Sequence, residues 1–274
     1  MLSIIISSYQ PHYYTALEKN IAETCGVKYE IIKIENFAAM GLCEAYNKGA
    51  NKAKYDQLLF LHEDVKFNKN NWGHTLVRLL SSFDTGIIGL AGGTYVPSSP
   101  YGWFTTMENA KINIIQHKKD GKVVLEKTFD TEKEKVLAVD GVFLGIRKSV
   151  YIEFPFNNIL KGYHGYDTDL SLRVSKKYQN FVTSKIVLEH YSEGKPDKDW
   201  FETNIYIRKS IGSNFNTTVN KDLEYQLYER FVRQYFGYYP KNIITFFKVL
   251  RFFPYFKIGK RKYIPLLKFV FSQL

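Results

Sequence analysis

The chain has 274 residues, of which 45% are apolar, 16% aromatic and 24% charged, a balance that supports a buried core and excludes global disorder. Its two cysteines, Cys25 and Cys43, are too few for a disulfide framework and lack metal-ligand spacing, so a reducing compartment is expected. The net charge of +11 lies almost wholly beyond Arg230, where no Asp or Glu offsets the basic residues; the rest of the chain is close to neutral.

The first apolar run, Leu2–Ser7, reads as a strand. It has no basic segment before it and is far shorter than the roughly 18 apolar residues of a membrane span, so a first strand is expected here and not a leader. Tyr13–Cys25 then reads as a helix, Tyr29–Ile34 as a strand, Ala45–Ala53 as a helix and Gln57–Leu61 as a third strand. Trp72–Ser82 is helical and Thr85–Ala91 is again a strand. This alternation predicts an α/β fold with a mostly parallel sheet flanked by helices, and functional residues at the strands' carboxyl ends.

Residues 92–137 break the rhythm. Gly92-Gly93, Pro97-Ser98-Ser99-Pro100 and the polar run 118–135 predict loops around a hairpin, suited to shaping an acceptor pocket. Val136–Phe143 resumes as a strand carrying Asp140-Gly141, and Asp167–Lys177 reads as a helix opened by carboxylates. Turn residues at Gly194-Lys195-Pro196 set an expected boundary, with one domain over 1–195 and a helical C-terminal region over 196–274.

Three acidic clusters stand where apolar runs stop: His62-Glu63-Asp64 after Leu58–Leu61, Asp167-Thr168-Asp169, and Glu189-His190 after Val187-Leu188. Carboxylates and imidazoles at such positions suit a divalent cation and acid/base chemistry. Asp169 stands four residues before Arg173 on the same helix, the spacing of an ion pair.

In order and spacing, Ile4-Ile5-Ile6-Ser7-Ser8-Tyr9, Ile34-Glu35-Asn36, Ala45-Tyr46-Asn47-Lys48-Gly49-Ala50, Phe60–Asp64, Asp140-Gly141, His164–Arg173 and Glu189-His190 resemble the nucleotide-sugar-dependent glycosyltransferases of the GT-A fold, in the family 2-like bacterial group. The resemblance covers roughly residues 2–194. It implies that Ser7, Ser8 and Tyr9 line the nucleotide pocket, that Glu35 takes the place of an aspartate reading the base, and that Asn47 and Gly49 lie on a helix abutting the nucleotide. His62-Glu63-Asp64 matches the family's DxD motif, with His62 in place of the first aspartate. Asp64 and His190 would then hold Mn²⁺ or Mg²⁺ against the diphosphate of a donor, most often a UDP-sugar; Ser192 and Gly194 would belong to the same loop. Asp167 matches the family's catalytic base, with Tyr166 in place of the glutamate before it. Asp140, Gly141 and Tyr166 would meet the donor sugar or the acceptor.

The implied reaction is an inverting transfer to a hydroxyl of a glycan or lipid-linked acceptor in surface polysaccharide synthesis. A nucleotidyltransferase would carry a Gly-rich basic loop after the first strand, which Ser8–His12 does not supply. A non-catalytic sugar- or lipid-binding domain is the other alternative, motivated by His62 and Tyr166. The tail interleaves its cations with aromatic residues, and Pro254 and Pro265 divide it into short helices. That pattern suits an anionic membrane surface or packing on the main domain. No nucleic-acid motif accompanies the charge. The expected location is cytoplasmic, at the inner face of the membrane.

Overall fold

Each apolar run of the first sixty residues becomes a strand of one sheet. β1 (Leu2–Ser8) pairs in parallel with β2 (Tyr29–Glu35) on one side and β3 (Gln57–Leu61) on the other, and helices α1 (Pro11–Thr24) and α2 (Leu42–Lys52) make the crossovers. The computed structural model describes every residue of the chain except Ala38 and Lys195. Ile5 packs into one apolar cluster while Ile4 and Ile6 pack into another on the opposite face, as in a strand covered on both sides. α1 starts two residues before its expected first residue, because Pro11 occupies the first helical position, where a missing N–H costs nothing.

After β3 the chain forms β4 (Val65–Phe67), α3 (Trp72–Leu80), β5 (Thr85–Gly89) and β6 (Ala91–Gly93). The single strand expected over Thr85–Ala91 is therefore two, and the chain changes sheets at Leu90. β7 (Ala110–His117) and β8 (Val123–Lys127) form an antiparallel hairpin. The expected strand Val136–Phe143 is also broken. β9 (Lys133–Val136) and β10 (Ala138–Val139) join different sheets, and β11 (Phe143–Arg147) begins only after the Asp140-Gly141 turn.

Helix α4 (Lys148–Glu153) leads to α5 (Tyr166–Val174), β12 (Gln179–Thr183) and β13 (Leu188–His190). The main sheet has the order β2-β1-β3-β11-β5-β12-β9, and the second sheet β10-β6-β7-β13-β4 with β8 beside β7. In the main sheet β11 and β9 run antiparallel to their neighbours, so the sheet is mixed, with the other strands sharing one direction.

This reversal positions the site. Parallel strands β1 and β3 end at Ser8 and Leu61, whereas antiparallel β11 starts at that edge, with Phe143 opposite Leu61. The Asp140-Gly141 turn is thereby brought beside His62, whose N–H donates to the Val142 carbonyl at 3.2 Å. In the second sheet, His190 pairs with Val65 and so lies next to Asp64.

The tail folds into α6 (Lys198–Ile211), α7 (Lys221–Tyr238), α8 (Ile243–Leu250) and α9 (Tyr263–Ser272). The boundary expected at Lys195 falls outside the described residues. Beyond it, α6 packs on α5, and Ile207 shares a core cluster with Tyr166. Phe231 and Val232 of α7 pack with Phe246, Phe253, Leu266 and Val270, and Tyr95 and Tyr101 from the segment between β6 and β7 join them. Part of the tail's aromatic content is thus core. Pro254 lies between α8 and α9, while Pro265 falls in the first turn of α9, which it initiates more than breaks. No described helix is long and apolar enough to cross a membrane.

Candidate active site

Two cavities meet at the carboxyl edge of the main sheet. The first, of about 410 Å³, is lined by Ser7, Tyr9, Leu42, Tyr46, Glu63 and Asp64 together with His62, Tyr163 and Ser192. The second, of about 510 Å³, shares those last three residues and continues past Asp140, Gly141, Tyr166, Asp167, His190 and Gly194 to Trp103 and Trp200.

At the junction, His62, Asp64 and His190 each offer a ligand atom, all within 4.8 Å of one another. His62 Nδ1 lies 3.8 Å from Asp64 Oδ1, and His190 Nε2 lies 3.6 Å from Asp64 Oδ2. The far nitrogen of each ring has its own partner: His190 Nδ1 is 3.1 Å from Gln116 Oε1, and His62 Nε2 is 2.7 Å from the Tyr166 hydroxyl. An amide oxygen can only accept, so Gln116 fixes the proton of His190 on Nδ1 and leaves Nε2 with its lone pair toward Asp64. Second-partner bonds of this kind orient metal-ligating histidines.

The charges agree with that use. Burial and the neighbouring His62 hold His190 below the ordinary histidine range, despite the opposing pull of Asp64, so its imidazole stays neutral and available as a ligand. Burial would push the Asp64 carboxyl up, but His62, His190 and Ser192 outweigh it and hold it below the usual range. Two imidazoles and a carboxylate suit a divalent cation that accepts nitrogen ligands better than they suit Mg²⁺, which favours an all-oxygen shell.

Asp167 stands on the first turn of α5. Its Oδ2 accepts from the Gly141 N–H at 3.1 Å and its Oδ1 from the Thr168 N–H at 2.7 Å. Burial and the nearby Asp140 carboxylate push its pKa up to about 7, against the pull of those N–H groups, which suits proton exchange near neutrality. Asp140 Oδ1 accepts from the Val142 N–H at 2.9 Å and fixes its own turn. Gly141 has a steric reason: a Cβ there would overlap the Tyr166 hydroxyl. Gly165, at φ 72° before α5, would carry a Cβ 2.6 Å from the Thr203 methyl, so glycine lets α6 approach and α5 begin.

Several expected donor residues are placed otherwise. Asn47 does not line either cavity. Its amide donates to the Phe156 carbonyl at 2.9 Å and to Asn158 Oδ1 at 2.8 Å, while its oxygen accepts from the Phe156 N–H and the Tyr151 hydroxyl. It clips α2 to the segment after α4 because every polar atom is used there. Gly49 does permit a close approach, but to the Ile5 side chain of β1 rather than to a ligand. Glu35 ends β2 at the correct edge, yet its exposed carboxylate pairs with Lys33 at 3.3 Å and is not part of the lining. Ser8 is buried and lines neither cavity.

Glu63 is not a solvated turn residue. It is only 4% exposed, and its Oε1 accepts from the backbone N–H groups of Tyr9 and Gln10, each at 3.0 Å. The carboxylate therefore holds the loop after β1 at the mouth of the first cavity. Asp169, 1% exposed, accepts from Arg173 Nε at 2.8 Å and turns away from the cavities. Gln116, Tyr163, Trp103 and Trp200 were not legible as site residues; the first three lie in segments without periodic pattern, and Trp200 reaches the site only because α6 docks on α5.

A family model described as a glycosyltransferase-like family matches residues 3–228. Among solved structures, GalNAc-T7 with UDP, GalNAc and Mn²⁺ superposes at TM-score 0.56 and 12% identity, over 99% of this chain and 57% of that one. Residues 1–349 of S. aureus TarS in complex with UDP give TM-score 0.57 at 12% identity, over 99% of this chain and 87% of that one. The same TarS fragment with UDP-GlcNAc gives TM-score 0.55 at 12% identity with the same coverage of both chains. The chain thus spans little more than half the length of GalNAc-T7. No curated protein matches it significantly. With the mixed sheet, the paired cavities and the His62-Asp64-His190 cluster in place, the family match over most of the chain leads to one conclusion: it belongs to the glycosyltransferase-like family and has the GT-A fold.

Proposed function

We propose that the chain is a metal-dependent, inverting glycosyltransferase that moves a sugar from a nucleoside diphosphate-sugar, a UDP-sugar in the first instance, to a hydroxyl of a glycan or lipid-linked acceptor of a bacterial surface polysaccharide. The observation that carries this reading is the His62-Asp64-His190 cluster at the junction of two cavities, with Asp167 lining the second. In this reading the first cavity takes the nucleotide between Ser7, Tyr9 and the loop held by Glu63. The second takes the transferred sugar and the acceptor between Asp140, Asp167 and the two tryptophans.

Asp64 and His190, joined by His62, would hold Mn²⁺ or, less suitably, Mg²⁺. Such an ion, when bound, supplies positive charge to a departing diphosphate. Asp167 accepts the acceptor's proton as the hydroxyl oxygen bonds to the anomeric carbon and the sugar–phosphate bond breaks on the opposite face. Its placement by the Gly141 and Thr168 N–H groups keeps one orientation through the reaction. Base catalysis of this kind contributes roughly 10²–10⁴-fold. We assign these roles to residues 1–195 with Trp200 from α6, and to the rest of residues 196–274 a supporting and surface role that includes contact with an anionic membrane face.

Calorimetric titration with UDP, with and without Mn²⁺, followed by release of sugar from UDP-GlcNAc and related donors, tests the reading. Mn²⁺-dependent UDP binding with donor turnover supports it. Absence of UDP binding in both conditions would sink the donor assignment, and binding without turnover of any UDP-sugar would favour a non-catalytic domain.

A further inference from the structure

A third cavity, of about 290 Å³, opens among the tail helices and shares no lining residue with the two above. Arg208 and Lys209 from the end of α6, Arg251 after α8, and Lys257 line it, with Ser213 at its rim. Arg208 is only 5% exposed. Its Nη1 donates to the Gly212 carbonyl at 3.0 Å, but its Nε has no partner among the described residues. A buried guanidinium N–H left unmatched forfeits the hydration it had in the unfolded chain, unless a ligand accepts from it.

The surrounding charge is not neutralised. Among the described residues none of these four cations forms an ion pair with a carboxylate. Glu224 acts on Arg208 and Lys257 from α7, but its oxygens accept from the Tyr95 hydroxyl at 2.8 Å and the Ser98 N–H at 3.0 Å. Lys257 donates to the Ser213 carbonyl at 2.9 Å and keeps further N–H capacity. Burial together with the neighbouring Arg251 and Lys248 holds the Lys209 ammonium below its ordinary range. Convergent cations that repel one another in a concave site are relieved by an anion, and arginine's planar fork matches phosphate oxygens.

We infer that this cavity is a phosphate-binding site, built to take the phosphate of a membrane lipid headgroup or a free phosphate. The flanks favour the lipid. Phe247, 64% exposed, stands one helical turn before Arg251, and Phe256, 94% exposed, immediately precedes Lys257. Exposed aromatic residues beside a basic pocket suit the boundary between headgroups and acyl chains. The inference is independent of the transferase reading, because none of its residues lines that site.

The test uses the full chain with two probes: vesicles of phosphatidylcholine with or without phosphatidic acid, in cosedimentation, and inorganic phosphate, in calorimetry. Lys209→Ser with Arg251→Ser removes two exposed cations; Lys19→Ser with Lys52→Ser removes the same charge from α1 and α2. Arg208→Gln is added, with circular dichroism confirming that each variant folds. Selective loss of phosphatidic acid binding, roughly tenfold or more, in the cavity variants supports a lipid headgroup site. Saturable phosphate binding lost in the same variants supports a free phosphate site. Equal weakening in the cavity and control pairs, or wild-type protein that binds neither probe, would overturn the inference.

Discussion

The hydroxyl of Tyr166 lies 2.7 Å from Nε2 of His62, and this contact joins the two residues at which the chain departs from the acidic pattern it otherwise resembles. Burial and the nearby Tyr46 and Asp167 raise the Tyr166 pKa well above the ordinary value, so the phenol stays neutral. If His62 uses Nδ1 toward a cation, its Nε2–H must donate to the phenol oxygen. The histidine and the tyrosine therefore work as a pair, and Gly141 leaves the space for it.

Tyr166→Phe keeps the ring in its pocket and removes that partner. We expect Mn²⁺ affinity to fall about 10–100-fold with little loss of stability, measured by metal titration of the full chain. An unchanged affinity would remove His62 from the ligand set.

Asp64→Ala and His190→Ala should each abolish the Mn²⁺-dependent part of UDP binding. His190→Gln supplies no equivalent ligand and should not rescue it, whereas Gln116→Ala should weaken binding by roughly tenfold, as loss of a partner bond does. Calorimetry distinguishes these, and metal-independent UDP binding of full strength in Asp64→Ala would contradict the assignment.

Asp167 carries a definite pH sign. Its folded pKa of about 7 lies above the usual value, so the carboxylate is ionised above that pH and protonated below it. kcat/KM should fall as pH drops through about 7, tenfold per unit, and Asp167→Asn should remove the activity. Stability runs the other way: the folded state loses stability as pH rises from the unfolded pKa of about 3.9 through 7. Asp167→Asn removes the buried charge but turns its NH₂ toward one of the two N–H donors, so the effect is read as a pH dependence: relative to wild type, its stability should rise by on the order of 1–3 kcal/mol from pH 5 to pH 8 in chemical denaturation. An unchanged difference across that range would show that the carboxyl does not titrate there with a raised pKa.

Glu63→Ala strands the N–H groups of Tyr9 and Gln10, which the carboxylate now satisfies. The expected cost is about 2–3 kcal/mol, together with a higher KM for the donor. Glu63→Gln retains an acceptor and should recover most of both. Urea titrations beside donor kinetics separate this from a residue that touches the donor directly, where Gln would recover stability alone.

Arg173→Ala leaves Asp169 as a buried carboxylate without its ion partner. A loss of about 3–5 kcal/mol follows, and Asp169→Asn with Arg173→Ala should recover part of it. Thermal unfolding of the single and double variants measures the coupling, and additive effects would deny it.

Much of this molecule was legible in its residues because short-range physics wrote it. Leu2–Ser8 and Gln57–Leu61 are apolar runs too short to be anything but buried strands, and Asp169 and Arg173 meet because a helix brings i and i+4 together. The meeting of Asp64 with His190 was expected from the resemblance, and the structure brings His62 to the same point. The tertiary structure decided the rest. Val136–Phe143 splits because its middle, Ala138-Val139, serves the second sheet while Val136 and Phe143 belong to the main one, and the antiparallel β11 delivers Asp140 and Gly141 to the edge where β3 ends. Asn47 and Gly49 look alike as small helical residues near a nucleotide, yet packing spends one on a loop and the other on Ile5. Glu63 was expected only as the middle of the donor-site motif, because nothing local reveals that Tyr9 and Gln10 offer their N–H groups to it. Gln116, Trp103 and Trp200 come from distant segments and meet the site only through sheet register and the docking of α6 on α5. Local pattern fixes most of the apolar core, the helices and strands that carry it, and polar pairs one helical turn apart; long-range packing fixes which polar atoms distant in the chain find one another.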